Sequence, residues 1–277
     1  MSEPVTLRTL LGHYPGTAAI RSGELTSPLF RMAFSPHASP ASGFKSFVRD
    51  DAFDAGELAL VTFLQAREWG KPLVLMPATV LGRPQHQCLA YNADHGVLTP
   101  ADLAGKTIGV RSYTQTTGMW VRGILAEQYG VDLDSIRWLT FEGAHVAEYD
   151  NPPRVEMAGP GEKLDQMILD GRIDAIIGGR ELPDDPRLRT VIADPAAAAR
   201  DWSATHGAVP INHMMVVQKN LAEARPDIVT GIFHQLEDAR ARAGAAGHPD
   251  LHPFGFEAVR PSIELAIDYS LRQGLIR

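Results

Sequence analysis

The chain has 277 residues, of which 44% are hydrophobic and 21% are charged, and its formal net charge is −7. This length and composition are those of a globular protein with a sizeable core, built as one large domain or two modest lobes. An acidic chain has no general reason to attract nucleic acid or an anionic membrane, so neither is expected as a partner.

Signals for cross-linking and targeting are few. Cys88 is the only cysteine, so an internal disulfide is excluded, and a structural zinc site would need more thiols. The first residues lack the basic segment and apolar core of a secretory signal, and no apolar run approaches the roughly 20 residues of a membrane span. The sequence therefore predicts a cytoplasmic protein.

The first part of the chain predicts strands and one helix. Residues 5–11 and 29–34 read as strands. Residues 54–68 place Leu58, Val61 and Leu64 at roughly helical spacing, which predicts a helix that Gly70 ends. The short apolar run 73–76 is typical of a buried parallel strand.

The middle of the chain alternates between strand and helix patterns, which predicts parallel β-α-β units. The predicted elements are strands at 107–110, 136–139 and 173–177, and helices at 117–129 and 162–169. A further strand is predicted at 214–217, and helices at 226–243 and 254–272, with the C-terminal part packed on the first lobe. Ligands of open parallel sheets bind beyond the carboxyl ends of strands, so the loops after these strands are candidate sites.

Residues 109–118 (GVRSYTQTTG) form the strongest candidate site. A strand ends, a hydroxyl-rich loop follows and a helix begins, so unpaired backbone N–H groups and the positive end of the helix dipole face the loop. Arg111 adds a charge, and Thr114, Thr116 and Thr117 add donors. This pattern indicates a carboxylate or phosphate site, although Thr116 or Thr117 could simply cap the helix. It matches neither a Walker loop nor a Rossmann fingerprint.

Two histidines lie in other candidate segments. Arg83 and His86 are three residues apart in a loop, where they could hold a carboxylate and move a proton, or belong to an ordinary surface loop. Asn212 and His213 follow Pro210 at the entrance of a predicted strand. That position suits a ligand cleft, but a buried structural histidine would show the same pattern.

Further candidates carry weaker signals. His145 has carboxylates nearby, but the spacing is not that of a metal site, and we expect no metal there. Gly179 would let the backbone approach a ligand, and Arg180 would add a cation. Asp54 and Glu57 lie at the start of the predicted helix, where carboxylates suit the dipole. We interpret Asp54 as structural and Glu57 as a candidate ligand contact.

Four segments together resemble 4,5-dihydroxyphthalate decarboxylase and its relatives, in the same order over most of the chain. They are residues 53–64 (FDAGELALVTFL), Arg83 with His86, Tyr113 with residues 120–125 (WVRGIL), and residues 210–213 (PINH). The resemblance implies an α/β, type 2 periplasmic-binding-protein-like fold, whose two lobes are joined by two crossover strands and enclose a ligand cleft. On that basis lobe 1 comprises residues 1–90 and 213–277, and lobe 2 comprises residues 91–212, with crossovers near 88–91 and 212–217.

The resemblance also implies a function, namely cofactor-independent decarboxylation of a hydroxylated aromatic (di)carboxylate such as 4,5-dihydroxyphthalate, in the breakdown of aromatic compounds. His86 and His213 are the expected catalytic residues, and either could protonate the ring carbon as carbon dioxide leaves. The expected substrate-binding residues are Glu57, Arg83, Arg111, Tyr113, Thr114, Gln115, Thr116, Thr117, His145, Gly179, Arg180 and Asn212. No metal or other cofactor is expected.

Two other functions stay open at this point. A non-catalytic solute-binding protein for a small carboxylate, serving transport or sensing, would have the same fold, and fold alone does not give function. A metal-assisted lyase would use His86, His145 and His213. The expected partner is a small aromatic carboxylate, and a homo-oligomer is compatible with the sequence.

Overall fold

A computed structural model describes residues 3–179, 182–244 and 250–277. The strands are β1 (Val5–Leu10), β2 (Phe30–Phe34), β3 (Ala55–Ala59), β4 (Leu73–Gly82), β5 (Leu89–Asn92), β6 (Thr107–Ser112), β7 (Arg137–Glu142), β8 (Val155–Met157), β9 (Ala175–Ile177), β10 (Leu188–Thr190) and β11 (Ile211–Gln218). The helices are α1 (Ala18–Arg21), α2 (Phe44–Arg49), α3 (Leu60–Glu68), α4 (Thr116–Tyr129), α5 (Leu164–Leu169), α6 (Pro195–His206), α7 (Lys219–Ala224), α8 (Pro226–Arg242) and α9 (Phe256–Arg272).

These elements belong to two compact units. Unit 1 contains the described residues within 1–82, together with His145–Ala147 and the described residues within 211–263. Unit 2 contains Arg83–Ala144, the described residues within 148–210, and Glu264–Arg277. Among the described residues, no helix is long and apolar enough to cross a membrane.

Unit 1 is built on a five-stranded sheet in the order β2-β1-β3-β11-β4. Strand β1 runs parallel to β2 and β3, whereas β11 is antiparallel to both β3 and β4. Successive side chains of a strand point to opposite faces, and β11 shows this clearly. Met215 and Val217 belong to one hydrophobic cluster and Val216 to another. Both faces of this sheet are therefore covered at β11, and the adjacent strand β3 is buried over its whole length.

Unit 2 is built on a six-stranded sheet in the order β10-β5-β9-β6-β7-β8. Strand β6 is parallel to β7 and β9, and β5 is antiparallel to β9 and β10. Helix α4 follows β6 directly, so its first turn lies at the carboxyl end of a central strand. This is the position at which open parallel sheets bind ligands.

Helix α4 is buried over its first ten residues, from Thr116 to Leu125. One glycine makes this possible, because a Cβ at Gly123 would lie 2.0 Å from the ring of Tyr269. That ring also packs edge-on against Trp120, with centroids 5.8 Å apart. The segment WVRGIL therefore includes a close contact between α4 and the end of α9.

Most predicted elements are confirmed, with two corrections. The run 73–76, predicted as a buried parallel strand, belongs to β4, which pairs antiparallel with β11. The strands predicted at 5–11, 107–110 and 214–217 are present as β1, β6 and β11. The single helix predicted over 54–68 is wrong, since Ala55–Ala59 forms β3 and only Leu60–Glu68 is helical. All five residues of β3 are buried, and pairing with β1 and β11 outweighs the local helical periodicity.

The two units differ from the lobe boundaries expected from the sequence. Residues 83–90 were expected in lobe 1, but the structure groups them with unit 2, where β5 pairs with β9 and β10. The final residues, 264–277, were also expected in lobe 1. They belong to unit 2 because Tyr269 packs on Trp120 and Gln273 accepts a hydrogen bond from Arg122.

The contact between Gly123 and Tyr269 can be tested by substitution. Helix propensity alone predicts that Gly123→Ala stabilises α4 by about 1 kcal/mol. The steric conflict with Tyr269 reverses this sign, and we expect a loss of about 1–3 kcal/mol in the free energy of unfolding, measured with denaturant. Gly143→Ala is the control, because its Cβ would meet nothing within 4 Å, and it should change stability by less than about 0.5 kcal/mol. A stabilised Gly123→Ala variant would contradict the packing described.

Candidate functional site

The carboxylate of Glu57 is the centre of a polar cluster in unit 1. Glu57 lies on β3 and is fully buried. Its Oε1 accepts a hydrogen bond from the backbone N–H of Gly12 at 2.5 Å, and its Oε2 accepts one from the hydroxyl of Tyr14 at 3.1 Å. Nδ1 of His213 lies 2.6 Å from the same Oε2. Three partners thus satisfy a carboxylate that would otherwise be very costly to bury.

The contact with Glu57 fixes the orientation of the His213 imidazole. Because the Glu57 oxygens act as acceptors, Nδ1 of His213 donates the hydrogen, and Nε2 is left on the opposite edge of the ring. Nε2 has no hydrogen-bond partner among the described residues, and 16% of the side chain is exposed. A carboxylate bonded to one nitrogen of an imidazole fixes the tautomer and the orientation of the ring.

The sheet register and one aromatic ring hold this cluster in place. His213 pairs with Ala59, and Met215 with Glu57, so both side chains come from adjacent strands of the unit 1 sheet. The ring of Phe44 meets His213 edge-on at 5.1 Å and His145 at 5.6 Å. His145 is buried, and its Nδ1 lies 2.8 Å from the hydroxyl of Thr62. The two selected histidines thus contact the same Phe44 ring, and His213 also contacts Glu57.

The second group of selected residues meets in unit 2, around the guanidinium of Arg83. Its Nη2 donates a hydrogen bond to the hydroxyl of Thr117 at 2.9 Å, and its buried Nε has no hydrogen-bond partner among the described residues. A Cβ on Gly179 would lie 1.9 Å from Nη2, so only glycine allows this approach. Arg83, Thr117 and Gly179, which are distant in sequence, form one contact that we call the anion cluster.

The other residues of the predicted anion loop have different environments. Arg111 forms an ion pair with Glu142 at 3.3 Å, and it lines a small pocket of unit 2 together with Gln115. Thr114 is buried and its hydroxyl lies 3.1 Å from that of Ser112. Tyr113 is only 1% exposed and packs beneath Arg122, which places its ring in the core of unit 2.

The remaining residues selected from the sequence are Thr116, Asn212 and Arg180. Thr116 begins α4 and is buried. Asn212 is buried on β11, next to His213. Arg180 lies outside the described residues.

His86 occupies a different environment from His213. It is 1% exposed, its Nε2 is bonded to Oε1 of Gln128 at 2.8 Å, and its Nδ1 is buried with no hydrogen-bond partner among the described residues. Burial lowers the pKa of His86, an effect that the bond to Gln128 partly opposes. The neighbouring thiol of Cys88 is also buried and lies 3.6 Å from Oε1 of Gln85. Of the two histidines proposed as acids, the geometry favours His213.

Among the residues that the structure describes, no group of three or more His, Cys, Asp or Glu side chains is arranged to hold a metal ion.

Comparison with known proteins gives the family. The family model described as NMT1/THI5 like matches residues 46–239. Over 259 residues the chain is 30% identical to a 4,5-dihydroxyphthalate decarboxylase of Comamonas testosteroni, covering 86% of this chain and 75% of the relative. The chain belongs to the NMT1/THI5-like family and to the 4,5-dihydroxyphthalate decarboxylase family. A second decarboxylase of that name, from Pseudomonas putida, is 27% identical and covers 72% of this chain and 84% of its own.

The fold of this chain is shown by its similarity to a solved structure. The alkanesulfonate-binding protein SsuA from Xanthomonas axonopodis pv. citri, bound to MOPS, superposes with a TM-score of 0.60. The two chains are 15% identical, and the match covers 100% of this chain and 96% of the other. The α/β, two-lobed periplasmic-binding-protein-like fold predicted from the sequence is confirmed. The ligand cleft between the lobes stays a prediction.

Several residues of these clusters gave no signal in the sequence. Gly12 and Tyr14 contribute a backbone N–H and a hydroxyl to Glu57, and Thr62 bonds His145. Their residue types and spacing are unremarkable, so only the tertiary structure reveals them. Arg122 did carry a signal, because it is a lone charge within the apolar segment WVRGIL. A charge within an apolar helical segment indicates either an exposed position or a buried ion with a structural or functional role.

The close approach of Arg83 to Gly179 gives a specific prediction. In Gly179→Ala the new methyl group displaces the guanidinium, so we expect binding of phthalate to weaken about tenfold while stability stays nearly unchanged. Isothermal titration calorimetry measures the affinity. Gly143→Ala, in the same unit and with open space around its Cβ, should bind phthalate normally. Equal affinity in both variants would show that the anion cluster does not bind carboxylates.

The burial of neutral His86 predicts a dependence of stability on pH. Because its pKa is lowered in the folded chain from the usual 6.5, the unfolded chain takes up a proton first as pH falls. The stability due to neutral His86 is therefore complete above pH ~6.5. As pH falls below this value toward the lower pKa of His86 in the folded chain, this contribution to the free energy of unfolding is lost. The loss is at most about 1.4 kcal/mol per pH unit. His86→Gln should lose less unfolding free energy than the wild type between about pH 7 and pH 5, measured by urea denaturation. Parallel curves for both proteins would contradict this.

Proposed function

We propose that this chain decarboxylates a hydroxylated aromatic acid of the 4,5-dihydroxyphthalate type, with His213 as the general acid. The observation that supports this best is the pair formed by His213 and Glu57, with the carboxylate fully buried and Nε2 on the ring edge opposite the bonded Nδ1. The two related decarboxylases supply the reaction class and the substrate class.

The chemical step needs one proton at one carbon. Nε2 of the His213 imidazolium donates a proton to the ring carbon that bears the carboxylate. A hydroxyl para to that carbon stabilises the resulting dienone-like cation. The bond between the ring and the carboxylate then breaks, its electron pair returns to the ring, and carbon dioxide leaves. His213 ends neutral and recovers a proton from water, while the bond from Nδ1 to Glu57 keeps the ring oriented.

The anion cluster has a separate task in this proposal. Arg83, Thr117 and the first turn of α4 hold a carboxylate of the substrate, because a guanidinium and the positive end of a helix dipole both favour anions. Arg111 and Gln115, which line a pocket of the same unit, contribute to substrate recognition. The bonds within this cluster keep the guanidinium oriented before the ligand arrives.

The proton donor can be tested with two variants and a matched control. His213→Gln should lower kcat about 10²–10⁴-fold, the range expected for loss of a general acid, and Glu57→Gln should lower it less. His86→Gln should retain most of the activity, since His86 is bonded within unit 2. The assay incubates the purified chain with 4,5-dihydroxyphthalate and follows protocatechuate and carbon dioxide. If His86→Gln is inactive while His213→Gln is active, the assignment is reversed.

A second candidate function is a binding protein without catalysis. It is favoured by the fold, which the chain shares with an alkanesulfonate-binding protein, and by the oriented anion cluster. The same incubation separates the two functions. Recovery of the dihydroxy acid unchanged after many hours, with saturable binding in calorimetry, would establish the binding protein and reject the decarboxylase.

We also propose that the reaction takes place in the cytoplasm and serves the breakdown of aromatic compounds. Fractionation of the native host followed by immunodetection tests the location. Growth of a strain without the gene on aromatic acids tests the role.

A further inference from the structure

Unit 2 contains a buried positive charge that pairs with no carboxylate among the residues that the structure describes. The side chain of Arg122 is 0% exposed. Its Nε donates to Oε1 of Gln273 at 2.7 Å and its Nη2 to the carbonyl of Tyr113 at 2.8 Å, whereas Nη1 has no hydrogen-bond partner among the described residues. The charged or titratable groups that act on it electrostatically are Tyr113, Tyr149 and Arg154, none of which is a carboxylate.

A buried guanidinium without an ion-pair partner is unusual in a folded protein. Removing a charge from water costs several kcal/mol unless an opposite charge compensates it. The rings of Tyr113 and Trp138 face the guanidinium, at 4.0 and 5.4 Å from Cζ to the ring centroids, and give partial compensation. Burial lowers the pKa of Arg122, but an arginine stays charged at neutral pH. The charge is therefore present and under-compensated.

The position of the unpartnered nitrogen connects it to the anion cluster. A Cβ on Gly118, the third residue of α4, would lie 3.0 Å from Nη1 of Arg122. Nη1 therefore lies against the first turn of the helix, whose N–H groups already carry a partial positive charge. A cation at this end of a helix is unfavourable by itself. The guanidinium of Arg83 contacts the same turn through Thr117.

We propose that Arg122 is a positioning residue that selects anionic ligands, because the carboxylate of a bound substrate becomes its missing counter-ion. Arg122 acts through the first turn of α4 and does not touch the ligand. It also holds the carbonyl of Tyr113, so it fixes the loop that leads into the helix. This inference deepens the proposed function, on which it rests, by explaining how unit 2 discriminates a carboxylate from a neutral group.

Gln273 provides a test that leaves Arg122 in place. The substitution Gln273→Glu puts a carboxylate where Oε1 now accepts from Nε of Arg122, and so supplies an internal counter-ion of nearly the same shape. Phthalate should then bind at least about tenfold more weakly, measured by calorimetry, although the free chain is no less stable. Gln273→Met is the matched control. It removes the hydrogen bond without adding charge, and phthalate affinity should stay within about threefold of wild type.

A second pair of measurements uses the charge of the ligand and of Arg122. Wild type should bind phthalate at least about tenfold more tightly than neutral phthalamide, and Gln273→Glu should reduce this preference. Arg122→Gln removes the charge and should also reduce the preference for phthalate over phthalamide. A purely structural role predicts instead that affinity falls with unfolding free energy in every variant, whatever their charge.

The possible results decide between the inference and the proposed function. Equal phthalate affinity in Gln273→Glu and wild type, or no phthalate binding by wild type, overturns the role of Arg122. If 4,5-dihydroxyphthalate is converted to protocatechuate with an unchanged KM in Gln273→Glu, the function stands and the inference fails. If phthalate binding depends on this charge but no protocatechuate forms, the inference stands and the decarboxylase is rejected.

Discussion

A buried carboxylate constrains how unit 1 is built. Glu57 has no exposed surface, so each of its oxygens needs partners that come with the fold. The N–H of Gly12, the hydroxyl of Tyr14 and the imidazole of His213 supply them from other parts of the chain. Strand β3 lies between β1 and β11, and this order brings the three partners to one carboxylate. The same contacts that make burial tolerable orient the His213 ring, so the stability of unit 1 and the role proposed for His213 depend on one set of bonds.

Unit 2 contains a buried charge, Arg122, whose surroundings differ from those of Glu57. Glu57 is matched by donors within unit 1, whereas Arg122 has neutral hydrogen-bond acceptors and two aromatic faces. A buried charge whose hydrogen bonds are complete favours a fixed geometry. A buried positive charge without an opposite charge favours the binding of an external anion. The anion cluster around Arg83 lies at the same helix turn. The two units thus differ in how their buried charges are compensated, and this difference underlies the separate roles proposed for them.

Sequence patterns predicted the fold and part of the clusters. The α4 helix, its preceding strand and the importance of the loop between them follow from local signals, because strand end, hydroxyls and helix start are adjacent in the chain. Strand β3 was missed because its burial on both sides removes the polar alternation that marks a strand. The pairing of His213 with Glu57 spans 156 positions, and no local pattern contains such information. The contact between Arg83 and Gly179 is equally non-local, although each residue was selected separately.

The burial of Cys88 has a practical consequence. The chain has no other thiol, and this one is 2% exposed, two residues beyond His86 and immediately before β5. An alkylating reagent can reach it only when this part of unit 2 opens. The rate of alkylation therefore reports how often this part of unit 2 opens locally. Mass spectrometry measures that rate on the native protein without any engineered label. Protection of Cys88 by a bound anion would measure how far ligand binding tightens unit 2.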